Sequence, residues 1–422
     1  MNHRSASRRP MLWVLTCLVS LSLASVPLSG QALPCVGGVV AGFPCDSVVL
    51  MSRLTESELG TSGVSDNWGW TDPMTGIEYA ILAAVEGTIF VSLEDPENPV
   101  VLGRLPTHTS STLIRDLKVF ENHAYIVADT GGHGLQIFDL TQLRNVVSPP
   151  VTFAATNHYA AFGESHNIAL NPATGFAYPM LGDTCSGGLH MLDLTDPLNP
   201  SFVGCYDDAG GVHDAVCFVY AGPDTEHQGS EICIAADLTG AVAFADVTDK
   251  ANPVTLAMEF YGTASISHQG WITPDHRYYF HGDEGDEGLG VGTRTYLWDI
   301  ADLDNPVLLS TYVASTFATD HNMYVNGSFL YQANYKAGLR VLQLGDLSQG
   351  EMTEVAFLDT RPGNDDSSFG GAWSVYPFFA SGNVIVSDTQ QGLFVVQLAV
   401  PQALFEDGFE SGDVTVWSSA QP

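Results

Sequence analysis

The chain has 422 residues, with 48 acidic side chains against 14 basic ones and a formal net charge of −34. A surface this acidic repels phosphate backbones and anionic lipid heads, which argues against nucleic-acid and membrane-surface partners. Length alone leaves open several small domains or one large repetitive one.

At the N-terminus, Arg4, Arg8 and Arg9 precede an apolar run from Met11 to Ala24 and then the small residues Ser29-Gly30-Gln31-Ala32. This is the order of an export signal, with cleavage expected near Gly30 or Ala32, and residues 1–32 are set aside as a leader. The run is too short, and too soon interrupted by Pro27, to span a membrane. Ser7-Arg8-Arg9-Pro10-Met11-Leu12 partly matches a twin-arginine signal, although arginine pairs also occur in ordinary signals. Of the seven cysteines, Cys17 falls inside the leader and has no lipobox before it. The six that remain are an even number, as an oxidising compartment requires. Their spacing suggests three local bridges: Cys35 with Cys45 across a Gly-rich turn, Cys185 with Cys205 bracketing a hairpin, and Cys217 with Cys233 on successive strands. Zinc ligation is the weaker alternative, because no Cys-x-x-Cys pair is present.

From residue 33 to residue 400 one phrase recurs at a period of roughly fifty residues. It consists of a glycine, an alternating apolar strand, a turn rich in Asp and Asn-Pro, and a second apolar strand. Clear copies run Gly87–Gly103, Gly188–Gly204, Gly240–Ala257 and Thr293–Ser310, and degenerate ones begin at Gly134, Gly338 and Gly392. The alternation of Leu189, Met191 and Asp193 with His190, Leu192 and Leu194 has the period of a strand. Asp and Asn side chains hydrogen-bond the local backbone of a turn, and a proline opening the next strand removes a donor where the ladder has barely begun. Two further strand-like runs precede each phrase, such as Ile168 to Leu170 and Phe176 to Met180. Four strands per repeat, seven repeats and almost no helical periodicity predict an all-β, seven-bladed β-propeller.

The last repeat has only three strands of its own, Trp373 to Phe379, Val384 to Asp388 and Leu393 to Leu398. An unmatched strand, Ser47-Val-Val-Leu-Met-Ser-Arg-Leu54, resembles fourth strands elsewhere, such as Pro99-Val-Val-Leu-Gly-Arg-Leu105. It is expected to pair with Leu393 to Leu398 and so close the ring, removing two exposed sheet edges. After Pro401 the chain turns acidic. The segment Phe405-Glu-Asp-Gly-Phe-Glu-Ser-Gly-Asp413, with Trp417, resembles a short tail of various exported bacterial proteins. Residues 401–422 are read either as a sorting signal or as an acidic disordered end, and hold no apolar helix that would anchor the mature chain.

Several longer motifs lie within these repeats: Trp68-Gly-Trp-Thr-Asp-Pro, Arg115-Asp-Leu-Lys-Val, Ser165-His-Asn-Ile-Ala, His213-Asp-Ala, Gly222-Pro-Asp-Thr, Ser267-His-Gln-Gly-Trp, Gly282-Asp-Glu, Gly292-Thr-Arg-Thr, Asp320-His-Asn-Met-Tyr and Ala333-Asn-Tyr. On these motifs, from residue 35 to about residue 398, the chain resembles the choice-of-anchor B family of LVIVD-repeat proteins. The resemblance implies a bacterial exported or surface protein with propeller-type repeats and variable C-terminal attachment. It brings no assigned reaction.

Aligned on their first strands, the repeats contribute Asn67, Arg115, His166, His213, His268, His321 and Ala372 to one column, and Trp68, Asp116, Asn167, Asp214, Gln269, Asn322 and Trp373 to the next. Four adjacent repeats thus place a histidine where the chain enters its innermost strand, at the mouth of the central channel. Neutral imidazoles suit a transition-metal ion, with Asp116 and Asp214 as further ligands or as partners that orient the rings. The alternative is a scaffold, in which a repeated His–polar pair knits strands together by hydrogen bonds. The acidic loop Asp283, Glu284, Asp286 and Glu287 offers oxygen ligands for Ca²⁺ without the pattern of an EF-hand; a solvated turn would look the same. Trp68, Trp70, Trp271 and Trp373 are expected near the same mouth, either stacking on a ligand or packing between blades. No nucleophile elbow, P-loop, dinucleotide fingerprint or His-Glu-x-x-His motif occurs. The resulting expectation is an exported, monomeric, non-catalytic propeller that binds a protein or small ligand through one face. The alternative is a metal-dependent oxidoreductase or hydrolase using the histidine mouth.

Overall fold

The structure, a computed structural model, describes residue 1, residues 30–262 and residues 265–400. The leader's arginines and apolar run, Cys17 and the tail from residue 401 lie outside the described residues.

Seven antiparallel sheets form the blades of a propeller. Their innermost strands are Val64–Thr71, Arg115–Phe120, Ser165–Asn171, Val212–Val219, Ser267–Ile272, Met323–Asn326 and Ala372–Tyr376, in blades 1 to 7. Each innermost strand touches those of the blades before and after it, and blade 7 meets blade 1. Within blade 5, for example, Ser267–Ile272, Tyr278–Asp283, Arg294–Asp299 and Val307–Val313 follow one another outward.

Burial explains where the period-two pattern fades. A blade is covered on both faces by its neighbours, so Glu78–Ala84 is buried at every position. Rings from adjacent blades meet in these interfaces, as Phe90 does with Phe138 at 4.6 Å. Only outermost strands such as Val307–Val313 expose most of their residues. The recurring Asp–Asn turn has one geometry. Asp95, Asp196, Asp249 and Asp302 each accept from the side-chain amide of the Asn three residues on, at 2.9 to 3.2 Å, closing the turn before the outermost strand.

The glycine that opens four of the phrases has a packing reason. A Cβ at Gly87, Gly188, Gly338 or Gly392 would lie 2.1 Å from the carbonyl oxygen of Leu105, Tyr206, Leu358 or Leu54, respectively. In these four blades the outermost strand therefore needs glycine beneath it. That Leu54 takes the place held elsewhere by Leu105, Tyr206 and Leu358 identifies the closure. Val48–Leu54 is the fourth strand of blade 7, antiparallel to Gly392–Leu398, with Leu54 opposite Leu393 and Val48 opposite Leu398. The expected closure by an N-terminal strand is the one observed.

The residues before this strand do more than the sequence suggested. Leu33–Pro34 adds to the outer edge of blade 7, and Phe43–Asp46 pairs with Met352–Leu358 at the edge of blade 6. The N-terminal segment is thus a strap across both blades, and Cys35–Cys45 cross-links it. Cys185–Cys205 and Cys217–Cys233 are also bridged, as the spacing suggested. A second strap leaves blade 2 after Leu135–Asp139, lays Val151–Thr152 parallel to the outer strand of blade 1, and returns as Asn157–Tyr159.

Blades 3 and 4 share a buried polar hub. Glu231 Oε2 accepts from Lys250 Nζ at 2.8 Å. Its Oε1 accepts from Asn171 Nδ2 at 2.7 Å, from Thr174 Oγ1 at 2.8 Å and from the Tyr178 hydroxyl. Lys250 also donates to the Val247 carbonyl at 2.7 Å. No helix among the described residues is long and apolar enough to cross a membrane.

Candidate functional site: a histidine arc and an aromatic pocket

The four histidines do come together. Ring centroids lie 4.5 Å apart for His166 and His213, 4.3 Å for His213 and His268, and 4.3 Å for His268 and His321. The arc continues in blade 7 with Trp373, 4.7 Å from His321. This corrects the aligned column, which placed Ala372 there. Ala372 pairs with Asp388 and Ser374 with Ser387, the bulged register that Ser267 and Gln269 adopt against Asp283 and Gly282. The residue within the bulge is therefore Trp373 in blade 7 and His268 in blade 5.

The adjoining column also shifts, by two residues in blade 1 and by one in blade 7, where Asp66 and Ser374 replace Trp68 and Trp373. It forms a belt that ties each blade to another. Asp116 Oδ2 accepts from Ile168 N at 2.8 Å, Asn167 Nδ2 donates to His213 O at 2.8 Å, and Gln269 Oε1 accepts from Met323 N at 2.8 Å. Asn322 Nδ2 reaches both Ser374 Oγ at 3.1 Å and Asp66 Oδ1 at 3.3 Å. The scaffold role expected of the His–polar pair is thus carried by its polar member in blades 2, 3, 5 and 6, whereas Asp214 accepts from Ala215 N of its own strand. Asp116 and Asp214 stand apart from the histidines, because consecutive side chains of a strand point to opposite sides. Asp116 Oδ1 instead accepts from Lys118 Nζ at 2.6 Å, and Asp66 lies 3.3 Å from the same ammonium. Burial opposes the charge of Lys118, but these two carboxylates outweigh it and hold its pKa well above the usual range.

The carboxylate that joins the histidines is Glu284, at the end of the second strand of blade 5. Its Oε2 lies 3.8 Å from His268 Nε2 and its Oε1 3.6 Å from His321 Nε2, while the Tyr335 hydroxyl donates to Oε1 at 2.6 Å. His321 Nδ1 donates to the Trp373 carbonyl at 2.5 Å, which leaves a lone pair on its Nε2. His213 and His268 face the carbonyls of His268 and His321 in the same sense, beyond good hydrogen-bond geometry. Burial lowers the pKa of all three imidazoles and keeps them neutral, and it pushes Glu284 up to about 7. His166 sits at the open end of the arc, with Nδ1 3.2 Å from Asp129.

The other members of the acidic loop turn elsewhere. Asp283 accepts from the Tyr261 hydroxyl and from the backbone amides of Ser265, Ile266 and Gly285 at 2.7 to 3.0 Å, so protein donors surround it. Asp286 accepts from the Tyr296 hydroxyl at 2.5 Å, and Glu287 faces the amide of Asp320 at 3.3 Å. Among the described residues, two groups of three have ligand atoms within 4.8 Å of one another: His213, His268 and Glu284, and the more exposed Asp224, His227 and Asp304. The calcium set Asp283, Glu284, Asp286 and Glu287 is not one of them.

At the downstream ends of the inner strands lies a cavity of about 540 Å³, to which all seven blades contribute. Trp68, Trp271, Tyr324 and Phe378 form one wall, with Trp271 and Tyr324 rings 4.9 Å apart. Lys118, Asp214 and Gln269 supply its polar groups. Of the four tryptophans expected at the histidine mouth, only Trp373 is there. Trp68 and Trp271 line this opposite opening, and Trp70 is buried against Tyr79 at 5.1 Å. The pocket was hidden in sequence because its walls alternate like any core strand. Lys118 was the readable signal, two residues after Asp116 and hence on the same side of its strand.

Burial pushes Asp214 up to about 7, with Lys118 pulling the other way and Asp66 adding to the rise. An acid with a raised native pKa holds its proton longer when folded, so its stability penalty is absent below the unfolded value and grows as pH rises towards the native one. Asp214→Asn is therefore expected to raise stability at pH 8 by a few kcal/mol, at about 1.4 kcal/mol per pKa unit, and to have little effect near pH 4. Urea unfolding at the two pH values measures this, and equal effects at both would contradict it.

No family model and no curated protein matches the chain. Solved structures do. Hydrazine synthase of Kuenenia stuttgartiensis is similar at TM-score 0.56 and 11% identity, over 76% of this chain and 93% of that one. The Cps50 (Swd1) β-propeller domain of Myceliophteria thermophila is similar at TM-score 0.52 and 12% identity, over 76% and 94%. A protein from Lactobacillus plantarum follows at TM-score 0.51 and 14% identity, over 71% and 84%. At such identities the likeness concerns the fold alone: the chain is a seven-bladed β-propeller.

Proposed function

We propose that the chain is an exported β-propeller of the choice-of-anchor B type that works as a binding module, and that it takes a small, largely apolar ligand into the aromatic pocket. The pocket itself carries this reading: about 540 Å³ of space, aromatic walls, and a few polar groups converging at one end. That combination is the usual make-up of a small-molecule site. Because Lys118 is already paired with Asp116 and Asp66, the polar end offers Asp214 and Gln269 to the ligand and favours a neutral or cationic group over an anion. Tryptophan and tyrosine faces suit a cation as well as an apolar body. The three disulfides support export, since such bridges persist in oxidising compartments.

Nile red, an uncharged aromatic dye, tests the reading. Saturable one-to-one binding is expected, weakened about tenfold by Trp271→Ala, because a buried aromatic contact contributes roughly 1.5 kcal/mol. Equal affinity in wild type and variant, or no saturable binding at all, would count against the pocket.

A further inference from the structure

The histidine arc has a property that a scaffold does not explain. Buried polar atoms are nearly always hydrogen-bonded. Yet His268, 1% exposed, has neither ring nitrogen in a hydrogen bond, and His213 Nδ1 is equally bare. His321 and His268 both turn Nε2 towards Glu284 at separations, 3.6 and 3.8 Å, too long for a hydrogen bond. An imidazolium–carboxylate pair would close to about 2.8 Å. Two ligands bound to one tetrahedral ion at about 2.0–2.1 Å stand roughly 3.4 Å apart, close to the 3.8 Å between His268 Nε2 and Glu284 Oε2, and the ligand atoms of His213, His268 and Glu284 all lie within 4.8 Å of one another. A lone pair aimed at a carboxylate is repulsive unless a cation or the carboxyl's own proton lies between them, and 3.6–3.8 Å is too long for that proton to bridge.

We propose that His213, His268 and Glu284 hold one divalent first-row transition-metal ion of the zinc class, tying blades 4 and 5 together at the upstream mouth of the channel. Two neutral imidazoles and one carboxylate are a donor set that suits such an ion better than calcium, which prefers oxygen alone. The Tyr335 hydroxyl, on Glu284 Oε1, leaves Oε2 for the ion. His321, whose Nδ1 is held by the Trp373 carbonyl, turns its Nε2 lone pair towards Glu284 Oε1 from blade 6, where the ion's charge would offset the repulsion between them. Three protein ligands leave one position for water or a small anion. This site lies at the other end of the inner strands from the aromatic pocket and does not depend on it.

The test is metal content by mass spectrometry on the full chain purified without chelator, then stripped and reloaded with Zn²⁺, in wild type, His268→Ala, Glu284→Gln and His227→Ala. About one ion per chain is expected in wild type and in His227→Ala, against less than about a tenth in the other two. Reloading the stripped wild type with Co²⁺ should give visible d–d absorption that Glu284→Gln lacks. Glu284→Gln keeps the side chain's shape, so it decides the matter if His268→Ala fails to fold. Wild type that stays metal-free after reloading would overturn the proposal. So would occupancy unchanged in Glu284→Gln, or a loss confined to His227→Ala, which would place the ion on the surface group Asp224, His227 and Asp304.

Discussion

Removing residues 46–54 is expected to leave no cooperatively folded propeller. The deletion takes away the fourth strand of blade 7 and exposes Gly392–Leu398 as an open edge. It also removes Val48 and Leu50, 1% and 0% exposed, from the core shared by blades 6 and 7. The strap would then lack the strand that holds it in place. A point variant grades the same effect. Leu50→Ala should cost about 2–5 kcal/mol, the range for a fully buried leucine. Soluble deletion protein with the melting transition of the wild type would refute the closure, and Leu50→Ala measured within error of wild type in urea would refute its packing.

Glu231→Ala should be about as damaging as any single substitution in the ring. One carboxylate serves Lys250, Asn171, Thr174 and Tyr178, and Lys250 is 8% exposed. Truncation strands a buried ammonium together with three neutral donors, and breaking a buried pair in this way costs about 3–5 kcal/mol. Lys250→Met in the same background should recover part of the loss, because it removes the stranded charge. Urea unfolding of the single and double variants measures both. A cost below about 1 kcal/mol for Glu231→Ala would mean that water replaces the carboxylate and that the hub is not dry.

What could be read from the sequence was what each repeat determines for itself. The glycine, the alternating strand and the Asp–Asn turn are local devices, so blades and their closure by residues 47–54 were visible, as were the three disulfides between cysteines 10 to 20 residues apart. What could not be read depends on register across the ring. A β-bulge moves Trp373 into the histidine arc and Asp66 into the polar belt, and nothing in the local sequence marks it. Glu284 looked like one more acid in an acidic loop until the fold set it between His268 and His321. The straps of residues 33–46 and 151–152 were missed because short edge strands carry almost no periodicity.

The seam in blade 7 bears on how the ring could be cut elsewhere. Val48 and Leu398 are partners across one strand pair, so a short peptide bridge in place of the strap would join them across a gap of about 5 Å. New ends could then be opened in another inter-blade loop, and Val48–Leu54 would become an ordinary fourth strand continuous with its own blade. In this sense the circle has no privileged starting point. Among the described residues, blade 7 is the one blade whose four strands come from two separate stretches of chain, Val48–Leu54 and residues 372–398.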